Sequence, residues 1–228
     1  MQVYDFIAIG GGGAGISAAG LVKSAGRRVA VIDHGAVGGL CSLNGCNPKK
    51  VLVRSSEVLD EVRRSSAFGI DTGEVRIDWS RVIDRKETFT RPVTAGTEQS
   101  LKSRGIDLIQ GPPRFVAANE IAVNGQHFRA EGVLIATGSM PRRLNFEGAA
   151  LTHSSNDILA LRHPPRRLFI VGAGVVAMEF GQVFARLGSK VTMITPDPRP
   201  LLENESEIVE ALVRFSTEIR EQLRFLAI

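Results

Sequence analysis

Gly10-Gly11-Gly12-Gly13-Ala14-Gly15 follows one apolar run, Tyr4 to Ile9, and leads into another, Ile16 to Ala25. The first run reads as a buried parallel strand. The second reads as a helix that Gly26 ends. Arg28 to Ile32 is the next strand, and Asp33 closes it. The glycines fit G-x-G-x-x-G at Gly10, Gly12 and Gly15. Strand, glycine turn, helix, strand and acid in that order form a βαβ dinucleotide fingerprint. The glycines permit a tight turn and close approach of backbone to pyrophosphate. The helix start offers free N–H groups and the positive end of the helix dipole, and Asp33 can accept from a ribose hydroxyl. A glycine motif alone is weak; in this register it is strong.

The fingerprint recurs. Leu168 to Val171 reads as a strand, Gly172-Ala173-Gly174-Val175-Val176-Ala177 fits G-x-G-x-x-A, and Met178 to Leu187 continues as a helix capped by Gly188. Lys190 to Ile194 is the strand that follows. It ends in Thr195, not in an acid. An acid there holds the free ribose of NAD and repels the 2′-phosphate of NADP. With none at Thr195, and with Arg199 near enough in sequence to meet a 2′-phosphate, NADPH is favoured over NADH. The expected fold class is α/β, with two Rossmann-like dinucleotide-binding domains spanning residues 1–145 and 146–228.

Both cysteines lie just beyond the first fingerprint, in Gly38-Gly39-Leu40-Cys41-Ser42-Leu43-Asn44-Gly45-Cys46-Asn47-Pro48-Lys49-Lys50. In a regular helix, five residues separate two Cα atoms by about 7.5 Å along the axis. A disulfide needs roughly 7 Å or less. A regular helix therefore cannot hold a Cys41–Cys46 bridge undistorted. Gly45 can supply the bend, and Pro48 suits the first turn of a helix running to Arg64. A strained, accessible disulfide is the reducible kind. Lys49, Lys50 and a helix start favour a thiolate. Taken alone, the residues read equally well as two buried, unpaired cysteines. Their place beside a nucleotide fold favours a redox pair.

The remaining chain carries scaffold signals. Ser65 to Val75 reads as a loop. Trp79 to Lys102 reads as a helix broken near Arg91 by Pro92. Ile106 to Ile109 is a short strand, and Phe115 to Val116 with Ile121 to Val123 form a small antiparallel meander. Asn124-Gly125 is a hairpin turn, with His127 on an exposed strand beyond it. Val133 to Ala136 is a buried strand ending in Thr137-Gly138. Asn156 to Leu161 is a short helix, and Glu205 to Phe225 an amphipathic one.

With 228 residues, 43% of them hydrophobic, and 24 glycines, the chain is an ordinary α/β protein in composition. Net charge is +4, with basic pairs at Arg27-Arg28, Arg63-Arg64, Arg142-Arg143 and Arg166-Arg167 and no long basic run. They read as solvated surface and not as a nucleic-acid footprint. No signal-peptide pattern opens the chain, and no apolar run reaches membrane-spanning length. The expected setting is cytoplasmic, where a structural disulfide is unusual.

Together these motifs resemble the N-terminal half of a class I pyridine nucleotide–disulfide oxidoreductase, the family of glutathione reductase, dihydrolipoamide dehydrogenase and mercuric reductase. The resemblance runs from about Tyr4 to Leu202: FAD fingerprint, C-x4-C, Ala136-Thr137-Gly138, then the pyridine-nucleotide fingerprint. It implies FAD at Gly10, Gly12, Gly13, Ala14, Gly15, Asp33, Gly39, Lys50, Ala136, Thr137 and Gly138. It implies NAD(P)H at Gly172, Gly174, Val175, Val176, Thr195 and Arg199, and no metal. It makes Cys41–Cys46 the redox disulfide, Cys41 the thiol that attacks substrate and Cys46 the thiol nearer the flavin. Lys50 matches the lysine near flavin N5, and Glu179 the glutamate that pairs with it. The substrate would be a small-molecule disulfide or related acceptor.

The family usually reads G-G-T-C-x-N-x-G-C-x-P-S-K. Here Leu40 replaces the threonine, Leu43 the asparagine and Lys49 the serine. Val175 stands where many members place a tyrosine. Members are roughly twice as long. The expectation is therefore a truncated second domain and no dimerisation domain, which in the family makes the homodimer and supplies the His–Glu acid–base pair. None of His34, His127, His153 and His163 lies in an H-P-T motif. Two other readings follow from the same residues: a non-catalytic nucleotide-binding fragment, and a flavoprotein oxidase or diaphorase that does not use the cysteines.

Overall fold

The structure is a computed structural model and describes residues 1–219 and 223–227. Its contacts divide the chain into two compact units, residues 1–48 with 87–152, and residues 49–86 with 153–228. The segment 49–86, expected in the first domain, thus packs with the second.

In the first unit, β1 (Gln2–Ile9), β2 (Val29–Asp33), β3 (Asp107–Gln110), β4 (Pro113–Ala117), β5 (Glu120–Val123) and β6 (Gln126–Ile135) form one sheet in the order β3-β2-β1-β6-β5-β4. The first four of that order run parallel, and β6-β5-β4 is antiparallel. Side chains alternate across a strand, so each apolar run supplies two faces. Ile7, Ile9, Ala30 and Ile32 pack with Ile121, Val123 and Phe128 of the meander. Ala8, Val29 and Val31 pack with Ala19 of α1 (Gly13–Ser24) and with Leu101. Two covered faces explain why β1 and β2 read as continuous apolar runs. Burying each Ile or Val fully is worth about 1.5–3 kcal/mol.

The meander and the strand expected at 133–136 are one element. β6 pairs along its length with β1, from Gln2 opposite Phe128 to Ile9 opposite Ile135, while its first part pairs with β5. Its end is less buried than expected: Ile135 is 67% exposed. Asn124 and Gly125 have φ of +49° and +79°, as a type I′ turn requires. His127 is exposed, and its Nδ1 lies 2.6 Å from Glu120 Oε1 on the neighbouring strand. Pro92 breaks the long helix as its missing N–H dictates, into α4 (Trp79–Thr90) and α5 (Val93–Ser103).

In the second unit, β7 (Arg167–Val171), β8 (Lys190–Thr195) and β9 (Leu223–Ala227) form a parallel sheet in that order. Between β7 and β8 runs α7 (Val175–Arg186). Phe180, Val183, Phe184, Val191 and Met193 build the core with Leu52, Trp79 and Ile83 from the 49–86 segment. Trp79 donates its indole N–H to the Leu161 carbonyl at 2.8 Å, and its ring sits 5.8 Å from that of Phe184. That core explains why 49–86 belongs here. A capping box between Ser154 and Asp157 starts the short α6 (Ser155–Ile158). The Ser154 backbone N–H and hydroxyl both donate to Asp157 Oδ2, at 2.6 and 2.8 Å, and hold that carboxyl below its usual range.

The helix expected over 205–225 is corrected. It ends as α8 (Ser206–Ile219), and Leu223–Ala227 is a strand in register with Val191–Thr195 of β8. Residues 220–222 and 228 lie outside the described residues. The amphipathic pattern continues past Ile219, but pairing with β8 takes over from local propensity.

Candidate functional site

The first glycine turn is shaped by close backbone contact. Gly10 has φ of +114°, and a Cβ there would run into the Ala136 carbonyl. A Cβ at Gly15 would strike the Gly10 carbonyl. No side chain caps α1 at Gly12, and its first internal bond is Ile16 N–H to the Gly12 carbonyl at 3.0 Å. The N–H groups of Gly13, Ala14 and Gly15 therefore have no partner inside the helix. A Cβ built on Gly13 meets nothing within 4 Å. Open space over uncapped N–H groups fits a phosphate anion.

Asp33 sits beside this turn. Its Oδ2 accepts from Gly11 N–H at 2.6 Å and its Oδ1 from Gly35 N–H at 2.8 Å. One lone pair per oxygen is so used, and others are left for a hydroxyl donor. Thr137 and Gly138 are exposed just past β6, where Ala136 N–H donates to the Ile9 carbonyl at 2.8 Å.

The cysteine segment is pinned to the same turn. Gly38 N–H donates to the Gly11 carbonyl at 2.8 Å. Gly39, with φ of +75°, would place a Cβ only 2.5 Å from Gly12 Cα. From there the chain forms α2 (Gly39–Leu43), breaks at Asn44-Gly45, and restarts as α3 (Cys46–Arg63). Gly45 is needed for contact: its Cβ would lie 2.8 Å from the Leu40 carbonyl oxygen and 3.3 Å from Cys41 Cα. The break thus brings the backbone ahead of Cys46 against that of Cys41. Cys41 is exposed and Cys46 half-buried. The structure draws no disulfide between Cys41 and Cys46, the pair expected to cycle between disulfide and thiols.

Glu179 pairs with Lys49, not with Lys50 as expected. Adjacent helical residues point about 100° apart, so one of the two lysines faces α7. Lys49 is half-buried and Lys50 exposed. Sequence position alone favoured Lys50; the helix face decides for Lys49.

The second glycine turn repeats the first more openly. Gly172 has φ of +111°, and neither it nor Gly174 has an atom within 4 Å of a built Cβ. Gly174 starts α7 without a side-chain cap, and Val175 and Val176 are 57% and 50% exposed. Thr195 is buried. Arg199 turns back onto its own loop. Its guanidinium donates to the carbonyls of Leu201, Leu202 and Asn204 at 3.1, 2.9 and 2.7 Å. It organises the loop after β8, which Leu201 N–H ties to the Ala173 carbonyl of the glycine turn at 2.9 Å.

The family model described as pyridine nucleotide-disulphide oxidoreductase matches residues 4–218. The chain belongs to this family. It is 36% identical over 198 residues to a dihydrolipoyl dehydrogenase of Acholeplasma laidlawii, covering 84% of this chain and 59% of that protein. It is 35% identical over 218 residues to a mercuric reductase of Bacillus cereus, covering 94% and 34%. Among solved structures it is similar to a Cu(II) complex of the HOCl-induced flavoprotein disulfide reductase RclA from Escherichia coli, a cysteine-to-serine mutant. That match has a TM-score of 0.85 and 25% identity, and covers 100% of this chain and 49% of the other. The chain spans about half the length of the curated relatives it matches.

Sequence reasoning named Lys49 but not as the partner of Glu179, and it did not weigh Asp197. Thr195 Oγ1 lies 3.1 Å from Asp197 Oδ2 and accepts from Asp197 N–H at 3.1 Å. The available signal was an acid two residues past the strand end, where only the terminal residue had been considered.

Proposed function

We propose that this chain carries the electron-transfer half of an FAD-dependent NAD(P)H:disulfide oxidoreductase. One observation carries the reading: Gly39 lies on Gly12, so the dithiol segment leaves directly from the phosphate-binding turn. In this reading Gly10, Gly12, Gly13, Ala14, Gly15, Asp33 and Gly39 hold FAD, with Ala136, Thr137 and Gly138 at the end of β6. Gly172, Gly174, Val175 and Val176 hold the pyridine nucleotide. Bound flavin supplies two-electron carriage between nicotinamide and the cysteine pair. Cys46 is the thiol next to the flavin, and the exposed Cys41 is the thiol that meets the acceptor. In the reductive direction the Cys41–Cys46 disulfide gains two electrons and two protons. Cys41 thiolate then attacks the acceptor disulfide, one acceptor thiol leaves, and Cys46 attacks Cys41 to release the second.

Lys49 and Glu179 are positioning residues, and Lys50 adds positive charge on the same helix. The Lys49 and Glu179 side chains are 15% and 36% exposed, and the role read for the pair is orientation. The acceptor is a small-molecule disulfide or related compound and the setting cytoplasmic; a homodimer is the expectation for the full-length family and not for this chain alone. Among the described residues no helix is long and apolar enough to cross a membrane, and no group of His, Cys, Asp and Glu could hold a metal ion.

The test is NAD(P)H-dependent reduction of lipoamide or glutathione disulfide by the FAD-loaded chain, with Cys41→Ser beside it. The substitution is expected to abolish disulfide reduction and to leave quinone reduction in place. Disulfide reduction that survives Cys41→Ser transfers the function to a cysteine-independent oxidase or diaphorase. Failure of the unsubstituted chain to turn over favours the non-catalytic fragment.

A further inference from the structure

We propose that Asp197 is the ribose-binding acid of the second nucleotide site and that it selects NADH over NADPH. The inference rests on reading the turn at Gly172 to Gly174 as the pyridine-nucleotide site. Such sites hold the adenosine ribose with an acid just past the second strand of the βαβ unit. That strand here is β8, which ends at Thr195. Thr195 is 3% exposed, and its hydroxyl accepts from the Asp197 backbone N–H and lies 3.1 Å from the Asp197 carboxylate. The carboxylate is thereby fixed two residues beyond the strand end, which is itself a threonine.

The surrounding loop is built to hold that position. Leu201 adopts φ of +49°, a left-handed conformation uncommon for a leucine, and its N–H reaches the Ala173 carbonyl at 2.9 Å. The loop after β8 is therefore tied to the glycine turn itself. Arg199 stabilises it from inside, with its guanidinium on three loop carbonyls. The one basic residue of the loop is thus occupied in shaping it. A 2′-phosphate carries close to two negative charges at neutral pH. At this site it meets the Asp197 carboxylate and no cation offered by Arg199. A free 2′-hydroxyl instead finds an acceptor. Both effects favour NADH, opposite to the preference read from Thr195 and Arg199 as isolated letters.

The test is direct binding of NADH and NADPH to the 228-residue chain by isothermal titration calorimetry, without an acceptor present. NADH is expected to bind about tenfold more tightly or better, and Asp197→Ala to narrow the ratio to within about threefold. Asp197→Asn should give the same narrowing with the side-chain shape kept. Circular dichroism of both variants checks that the ligand-free fold is kept, with Asp197→Asn retaining an acceptor for the Thr195 hydroxyl. NADPH binding as tightly as NADH, or a ratio unaffected by either variant, overturns the proposal and leaves the site assignment standing. Binding of neither nucleotide overturns both together.

Discussion

Tyr4 shows how one residue ties stability to pH. Its hydroxyl lies 2.9 Å from both Gln2 Oε1 and Asp107 Oδ2, and its one proton serves either acceptor in turn. Burial, then the hydrogen bond and charge of Asp107, push the phenol up from 10.0 to about 12. A raised acid pKa means the folded chain holds this proton more tightly than the unfolded chain does. The stabilisation is full below pH 10 and is lost as pH rises towards 12. Urea unfolding between pH 9 and 12 should therefore show a loss of stability that Tyr4→Phe reduces; equal slopes in both proteins would contradict it. At Gly39 the constraint is steric. With φ of +75° and Gly12 Cα 2.5 Å from a built Cβ, Gly39→Ala should cost at least about 1–2 kcal/mol. It should also weaken FAD retention, because it pushes the cysteine segment off the phosphate turn. An unchanged melting temperature would show that the contact is not as close as described.

At the scale of elements, what was legible depended on which contacts each element needs. The βαβ units at Gly10 and Gly172 were readable because their glycines answer to local backbone geometry, φ of +114° and +111°. Pro92 and Asn124-Gly125 were readable for the same reason. Partners chosen by tertiary packing were not. Lys49 and Lys50 are chemically equal in sequence, and only the face of α3 turned towards α7 separates them. Asp197 is fixed by hydrogen bonds with Thr195, and the Arg199 guanidinium lies on loop carbonyls; neither contact is visible in the sequence. β9 was read as helix because the 205–225 pattern is amphipathic throughout, whereas its strand exists by pairing with β8. Backbone chemical shifts for Leu223 to Ala227 should therefore be those of a strand. Helical shifts there would restore the longer helix and remove the third strand of the second sheet.

At the scale of the whole molecule, the chain contains two glycine turns and one cysteine pair, arranged in sequence order as turn, cysteines, turn. Each unit presents an uncapped helix start over a glycine turn, and the first also carries both cysteines. In the proposed function a flavin on the first turn contacts the cysteine pair that leaves from it. The deciding measurement is the absorbance spectrum of the FAD-loaded chain before and after anaerobic reduction with NADH. The expected result is a flavin spectrum that gains a long-wavelength band on reduction, and loss of that band in Cys46→Ser. A chain that stays colourless after FAD loading, or a band that persists in Cys46→Ser, would contradict it.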